Sequence, residues 1–441
     1  METHYSQTIP INDNSYSLYR NAIWVYIVLL ITEGALRKWF LPSLATPLLV
    51  VRDPIVIWLV IVGLQKGWLN FPYVKAMMIV ATLSFVLSLI FGHHNLFVAL
   101  FGWRIYFFHF PMIFIIGQLL TRDDLLRICR FFLYASIPMT ILIVIQFYSP
   151  PTAWVNIGVG GEGTAGFAGS GQYMRPPGTF SFTAGYIAFQ CIVGCMLFYY
   201  LLANRTLKEK ERIPDWLLTI ILICYLVAIP TSISRTNLFQ TAAFIVFLLL
   251  ITMFKSDLRM KVFRFLVVVI IAIVLLSVSG LLETNMEAFT NRFEGASKAE
   301  GGIEGTLGDR YLGGLLGAFT NVNLPVFGYG IGLGTNAGAS LMGGNMYSFG
   351  FDGEVEWQRI VGECGFILGL CIIGIRLLFS LDLLRKSYLR LTQQSDMLPW
   401  MLSAGMMLSL PQGQWSIPTN LGFSILLGGL TLAAIRTSAT D

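Results

Sequence analysis

The sequence predicts an all-α integral membrane protein of about twelve transmembrane helices, with one large periplasmic loop that contains short helices. Three observations carry this. Of 441 residues, 55% are hydrophobic and 12% charged, with a mean hydropathy of +0.70. A soluble domain carries about 25% charge and about 45–50% apolar residues, so an ordinary cytosolic enzyme and a disordered chain are both excluded. The apolar residues fall in runs of membrane-crossing length, and the basic loops between them fall on one side.

Apolar runs lie at 21–36, 46–64, 73–91, 102–120, 127–148, 180–203, 214–231, 236–254, 263–282, 357–380, 397–412 and 416–435. The first twenty residues, METHYSQTIPINDNSYSLYR, lack a basic stretch followed by a short apolar core. They are expected to precede a retained helix rather than form a cleaved signal. Pro111, Pro138 and Pro230 fall in or near spans, where neighbouring helices satisfy the freed carbonyls. The basic loops are TRDDLLRICR at 121–130, NRTLKEKER at 204–212, KSDLRMKVFR at 255–264 and LLRKSYLR at 383–390. With twelve spans and a cytoplasmic N-terminus, all four lie inside and both termini are cytoplasmic.

Two long outer segments remain, 149–180 and 283–356. The chain therefore divides into helices one to nine over 1–282, the large loop over 283–356, and helices ten to twelve with the tail over 357–441. The loop is rich in glycine, but Phe289, Phe293, Tyr311, Leu312, Leu315, Leu316, Phe319 and Phe327 give it groups to pack. Asp309–Phe319 reads as an amphipathic helix on the membrane surface.

The net charge of +5, without a basic stripe, excludes nucleic acid as a partner; the partners are membrane lipids. Six cysteines form no C-x-x-C pair, and the four histidines form no zinc motif. No phosphate-binding or dinucleotide fingerprint occurs. The expectation is no metal and no cofactor.

Four segments place polar groups at the outer face. In SISRTN, Arg235 sits in a short outer turn at a helix start, either as a snorkelling interfacial side chain or as an anion contact. In GTLGDRYLGG, Arg310 follows a glycine turn beside Asp309, forming a structural pair or offering a two-pronged phosphate contact. DGEVEWQRIVGECG brings Asp352, Glu354, Glu356, Arg359 and Glu363 to the mouth and first turns of the tenth span. Glu356 and Arg359, three apart, are placed to pair, and Glu363 is expected to be deepest and to need a partner. MRPPGTF leads Arg175 into the sixth span, as an interfacial anchor or a supporting phosphate contact. Glu33 with Arg37, and Arg52 with Asp53, read as ion pairs bracing the bundle, and His93 and His94 as solvated loop histidines.

In this order the segments resemble the O-antigen ligase and Wzy-type O-antigen polymerase superfamily. RPPGTFSFTAGYIAF is similar to its R-x-x-G-T-F segment, with Thr183 and Ala184 where Pro-Asn often stands. SISRTNLF resembles its S-R-G segment, and GDRYLGGLLGAFTNVNLPVFGYGIG its Arg-led helix followed by a glycine-rich turn. EVEWQRIVGECGFILG resembles its His-Asn-led segment, with Glu363, Gly365 and Gly369 matching and Glu354 and Val355 in place of His-Asn. The resemblance covers residues 175–380 by motif and the rest by topology.

It implies an inner-membrane, metal-independent, inverting glycosyltransferase. Such an enzyme moves a glycan from a polyprenyl-diphosphate-linked donor to a glycan or lipid-linked acceptor, in exopolysaccharide or O-antigen assembly beside other polysaccharide-assembly proteins. By the same resemblance Arg235 and Arg310 clamp the diphosphate with Arg175 in support. Glu354 is the base with Glu356 in reserve, and Asp309, Arg359 and Glu363 support them. The competing readings are a lipid-linked glycan transporter or flippase, and a non-catalytic assembly subunit.

Overall fold

The computed structural model describes residues 16–164, 167–170, 173–254, 256–278, 280, 282–300, 317–318, 325–344, 353 and 355–437. The chain is an all-α membrane protein: nine helical segments among the described residues are long and apolar enough to cross a bilayer. The main helices are α1 (Ser17–Ala35), α2 (Asp53–Gln65), α3 (Pro72–Ile90), α4 (Leu96–Arg104), α5 (Phe110–Leu119) and α6 (Arg122–Tyr148). They continue as α7 (Thr183–Ala203), α8 (Asp215–Thr231), α9 (Arg235–Phe254), α10 (Ser256–Val278) and α11 (Glu283–Glu300). The last four are α12 (Asn336–Leu341), α13 (Glu356–Gln394), α14 (Leu398–Ser409) and α15 (Pro418–Arg436). A helix thus lies at every apolar run, and one small antiparallel hairpin, β1 (Phe167–Ser170) with β2 (Tyr173–Arg175), precedes α7.

The centre is α5, α7 and α15, whose residues are almost all buried, whereas α2, α3 and α9 turn most of their apolar surface outward. Glycines let α5 and α15 touch: a Cβ on Gly117 would stand 2.5 Å from Leu432, and one on Gly429 2.6 Å from Ile116. Small residues of this kind are what close helix contact in a bilayer demands.

Polar contacts gather at the two ends. At the basic end Arg122 pairs with Asp396 at 2.8 Å, Arg20 with Asp124 at 3.6 Å, and Arg436 donates to the Leu120 carbonyl at 2.6 Å. At the long-loop end Arg37 pairs with Glu33 at 3.3 Å and donates to Ser181 Oγ at 3.1 Å. The expected bracing pairs form, with one exchange of partners. Arg52 binds Glu33 at 3.3 Å, while Asp53 binds Arg104 at 2.7 Å and His109 at 3.1 Å. Two π-helical turns, Leu36–Phe40 and Ile105–His109, aim Arg37 and Lys38, and Tyr106 and His109. Such bulges turn side chains that a regular helix would point elsewhere.

The tenth apolar run is not a simple span. Gly365 has φ 75° and ψ 171° inside α13. The carbonyls of Gly362 and Glu363, which a continuing helix would fill from its own next turn, instead accept the amides of Tyr329 (2.8 Å) and Gly330 (2.9 Å). Arg376 donates to Glu356 at 2.5 Å, although twenty helical residues would hold them about 30 Å apart. A Cβ on Gly369 would stand 2.9 Å from the Val361 backbone. Residues 356–364 and the helix from 366 onward are therefore antiparallel arms of a helical hairpin folded at Gly365.

The fold-back sets where the two acids lie along the hairpin. Measured from the fold at Gly365, Glu356 is the far, deep end of its arm and Glu363 stands beside the tip. His93 is corrected: it is half-buried, with Nε2 3.1 Å from the Ile331 carbonyl, and only His94 is exposed.

Gly365→Ala is expected to fail. With ψ at 171° this positive φ lies in a region essentially reserved for glycine and costs an L-residue about 1–3 kcal/mol, and the new Cβ would lie 2.2 Å from the Val326 carbonyl. Gly374→Ala, with open space around it, is the control and should be neutral or mildly stabilising. Thermal unfolding of the detergent-solubilised variants checks the pair; equal stability would refute the fold-back.

Candidate functional site

The first polar centre lies where β2, the α8–α9 turn and α11 meet. Arg175 ends β2, and the Pro176–Pro177–Gly178 turn that follows is held from two sides. Lys38 Nζ donates to the Gly178 carbonyl at 2.7 Å, and Gln146 accepts from the Gly178 amide at 2.8 Å. Thr179 Oγ1 donates to the Ile31 carbonyl at 2.7 Å, which seats the next residue against α1.

Arg235 opens α9. Just before it, Ile233 adopts φ 46°, a conformation that costs a β-branched residue dearly. Burial against Phe147, Ala288 and Tyr173 holds it there. Strain kept by packing in this way is typical of functional turns. Helix α11 is fastened through the fully buried Asn285, which accepts from Tyr148 Oη at 2.5 Å and donates to Thr231 Oγ1 at 3.1 Å.

These anchors bring three arginines within electrostatic range. Burial, then Arg292 on α11, then Arg235, hold the Arg175 guanidinium below its ordinary value. Its Nε is buried without a hydrogen-bond partner. A buried guanidinium N–H without a partner, set near further positive charge, is unfavourable unless an acceptor completes it. The arrangement can therefore grip a multiply charged oxyanion, and guanidinium forks suit phosphate oxygens.

The second centre is the hairpin of α13. Arg359 donates from Nη1 to Glu363 at 2.8 Å, from Nε and Nη2 to the two Glu356 oxygens at 3.0 Å each, and from Nη2 to Tyr106 Oη at 3.0 Å. Glu363 also accepts the Gly334 amide at 2.8 Å, and Glu356 the Trp415 amide at 3.2 Å. Arg376 completes the set by binding Glu356 at 2.5 Å. Two carboxylates and two guanidinium groups, all buried, make a neutral chain in which both oxygens of each acid are occupied.

Of the residues singled out in the sequence, Arg175 and Arg235 thus come together, and so do Glu356, Arg359 and Glu363. Glu354, Asp309 and Arg310 lie outside the described residues, as does most of the stretch 309–319. Glu354 is flanked by Gly353, buried, and Val355, half-buried.

Sequence reasoning missed Arg292 and Arg376. Arg292 sits in a polar helical stretch, NMEAFTNRFEG, and gave no local signal. Arg376 did: it is a lone charge in the apolar run GLCIIGIRLLFSL, where an ionisable group needs a partner.

Lys38 offers a test of the loop anchor just beyond the end of α1. Burial pushes its ammonium down to about 7 from the ordinary 10.5. Between those values the unfolded chain binds more protons than the folded one, so stability should rise with pH from about 7 to about 10. Thermal unfolding across that range should show a slope that Lys38→Met flattens; an unchanged slope would mean that the lysine is solvated. No protein-family model matches this chain, and no curated protein matches it.

Proposed function

We propose that this chain transfers a glycan from a polyprenyl-diphosphate-linked donor to an acceptor hydroxyl at the long-loop face of a bacterial inner membrane. It would act as polymerase or ligase in exopolysaccharide or O-antigen assembly. The observation that carries this reading is the buried Nε of Arg175 at that end, which has no hydrogen-bond partner among the described residues and lies within electrostatic range of Arg292 and Arg235. The resemblance of the segments around 175, 235, 310 and 354 supports it. So does the placing of all four basic loops inside when the chain crosses twelve times with both termini cytoplasmic.

In this mechanism the arginines hold the donor diphosphate, with Arg310 as a further clamp beside Asp309. The bond between the anomeric carbon and the phosphate oxygen breaks, and its electron pair leaves with the diphosphate. The acceptor oxygen attacks the opposite face and inverts the carbon, while Glu354 takes the hydroxyl proton. The fixed guanidinium groups favour the charge that grows on the leaving group, so the stabilisation is strongest in the transition state. The ion pairs of Arg359 with Glu356 and Glu363 brace the segment that follows Glu354.

One observation favours a second reading, a transporter or flippase of the same lipid-linked glycan: the helix broken at Gly365. Discontinuous helices are common in transporters. Purified protein in liposomes with a lipid-linked donor and an acceptor separates the two, because only an enzyme lengthens or transfers the glycan.

In that assay Arg175→Ala and Arg235→Ala should each lower turnover by about 10²–10³-fold, the usual loss for a group that stabilises a developing oxyanion. Arg292→Ala, on an exposed side chain, should cost about tenfold, or about 1.4 kcal/mol. Lysine should rescue poorly at 175 and 235; full activity in both lysine variants would reduce the site to general positive charge. Glu354→Gln should lose about 10²–10⁴-fold with donor affinity little changed. An active Glu354→Gln enzyme would remove the base from this segment.

A further inference from the structure

Arg376 is the residue of the hairpin for which the mechanism above has no use. It is fully buried, and each of its nitrogens has a separate task. Nε donates to the Leu410 carbonyl at 2.9 Å, Nη2 to the Gly413 carbonyl at 2.8 Å, and Nη1 to Glu356 at 2.5 Å. Its plane lies 3.8 Å from the Trp415 ring centroid. Leu410 and Gly413 belong to the turn between α14 and α15, and that turn reaches the other flank of the same segment: Gln414 Nε2 donates to the Gly353 carbonyl at 3.3 Å. Trp357 Nε1 donates to the Pro411 carbonyl at 3.1 Å. The stretch Gly353–Trp357 is therefore tied to the 410–415 turn at both ends, and Arg376 is the hub that holds the turn itself.

We infer that Arg376 is a positioning residue: it fixes the 410–415 turn, and through it the depth at which the segment 353–357 meets the acceptor. Its catalytic consequence rests on the glycan-transfer reading. Only a guanidinium fits these contacts. Three donors must point in three directions in one plane, and that plane must stack on an indole. An ammonium supplies a compact point charge that cannot reach the Leu410 and Gly413 carbonyls and Glu356 at once in one plane, so the buried Leu410 carbonyl would lose its donor. None of these bonds involves Arg175, Arg235 or Arg292, so loss of Arg376 should act on turnover and leave donor binding in place.

The test uses the full-length protein in detergent or liposomes with Arg376→Gln, Arg376→Ala and Arg376→Lys. Hydrogen exchange read by mass spectrometry should rise in peptides covering 353–357 and 410–415, and stay at wild-type level in the β1–β2 hairpin and α11. Turnover should fall by about 10²-fold, the loss that follows a misplacement of about 1 Å, with the donor KM within about threefold of wild type. Added guanidinium ion should restore about tenfold of the loss in Arg376→Ala and slow exchange in the same two peptides. Lysine should behave like glutamine.

Unchanged exchange at 353–357, or full activity of the lysine variant, would overturn the inference. So would loosening of the whole bundle without guanidinium rescue, since that describes a residue needed only for folding. A wild-type protein that transfers no glycan would instead sink the enzymatic reading, and the exchange arm would still decide the anchoring role on its own.

Discussion

The fold at the long-loop end depends on one buried ion chain, Glu363–Arg359–Glu356–Arg376. None of its members has water to solvate it, so each charge must find its counter-charge inside the protein. Glu356 and Arg376 lie twenty residues apart in one apolar run, and only a chain that doubles back can pair them. The pairing and the fold-back at Gly365 therefore demand each other. The glycine supplies the backbone angle, and the ion chain supplies the reason that the two arms stay together. The tip is closed by Tyr329, Gly330 and Gly334, whose amides fill the carbonyls and the carboxylate that the broken helix leaves open. Removing one partner of such a chain is far more damaging than its net contribution suggests, because it strands the others.

The two polar centres differ in how fully their buried donors are paired. The hairpin chain is neutral and saturated, which is what a structural element buried among helices must be. Arg175 is not saturated: it feels burial and two like charges, and its Nε has no hydrogen-bond partner among the described residues. Stability does not select for that arrangement, and the strained Ile233 beside it points the same way. An exposed lysine-rich loop, such as the one at 204–212, keeps its charges in water and implies nothing of the kind.

Much of this was legible in the sequence, for identifiable reasons. Hydropathy depends on composition over about twenty residues, so every apolar run found a helix. It contains no direction, so GECGFILGL reads as the continuous start of a span whether the chain runs on or turns back. Glu33 with Arg37 was legible because four residues make one helical turn. That Arg52 joins Glu33, while Asp53 turns to Arg104 and His109, was not, because both facts depend on the packing of separate helices. Arg175 and Arg235 stood out as lone cations beside turn residues, whereas Arg292 is one charge among several on α11 and becomes notable only once Asn285 fastens that helix to α8.

The π-helical turn Ile105–His109 joins the two halves of this architecture. A regular helix repeats every 3.6 residues, and the wider turn lets Tyr106 and His109 both face inward toward different neighbours. Tyr106 accepts from Arg359, while His109 and the adjoining Arg104 meet Asp53 at the start of α2. Asp53 is next to Arg52, which binds Glu33, and Glu33 binds Arg37 in the other π-helical turn. Lys38 in that turn then holds Gly178, three residues beyond Arg175. A continuous run of charged contacts thus links the deep end of the hairpin to the turn that presents the arginine cluster. The hairpin of α13 and the turn after Arg175 are in this way tied into one framework, although they lie far apart in the chain.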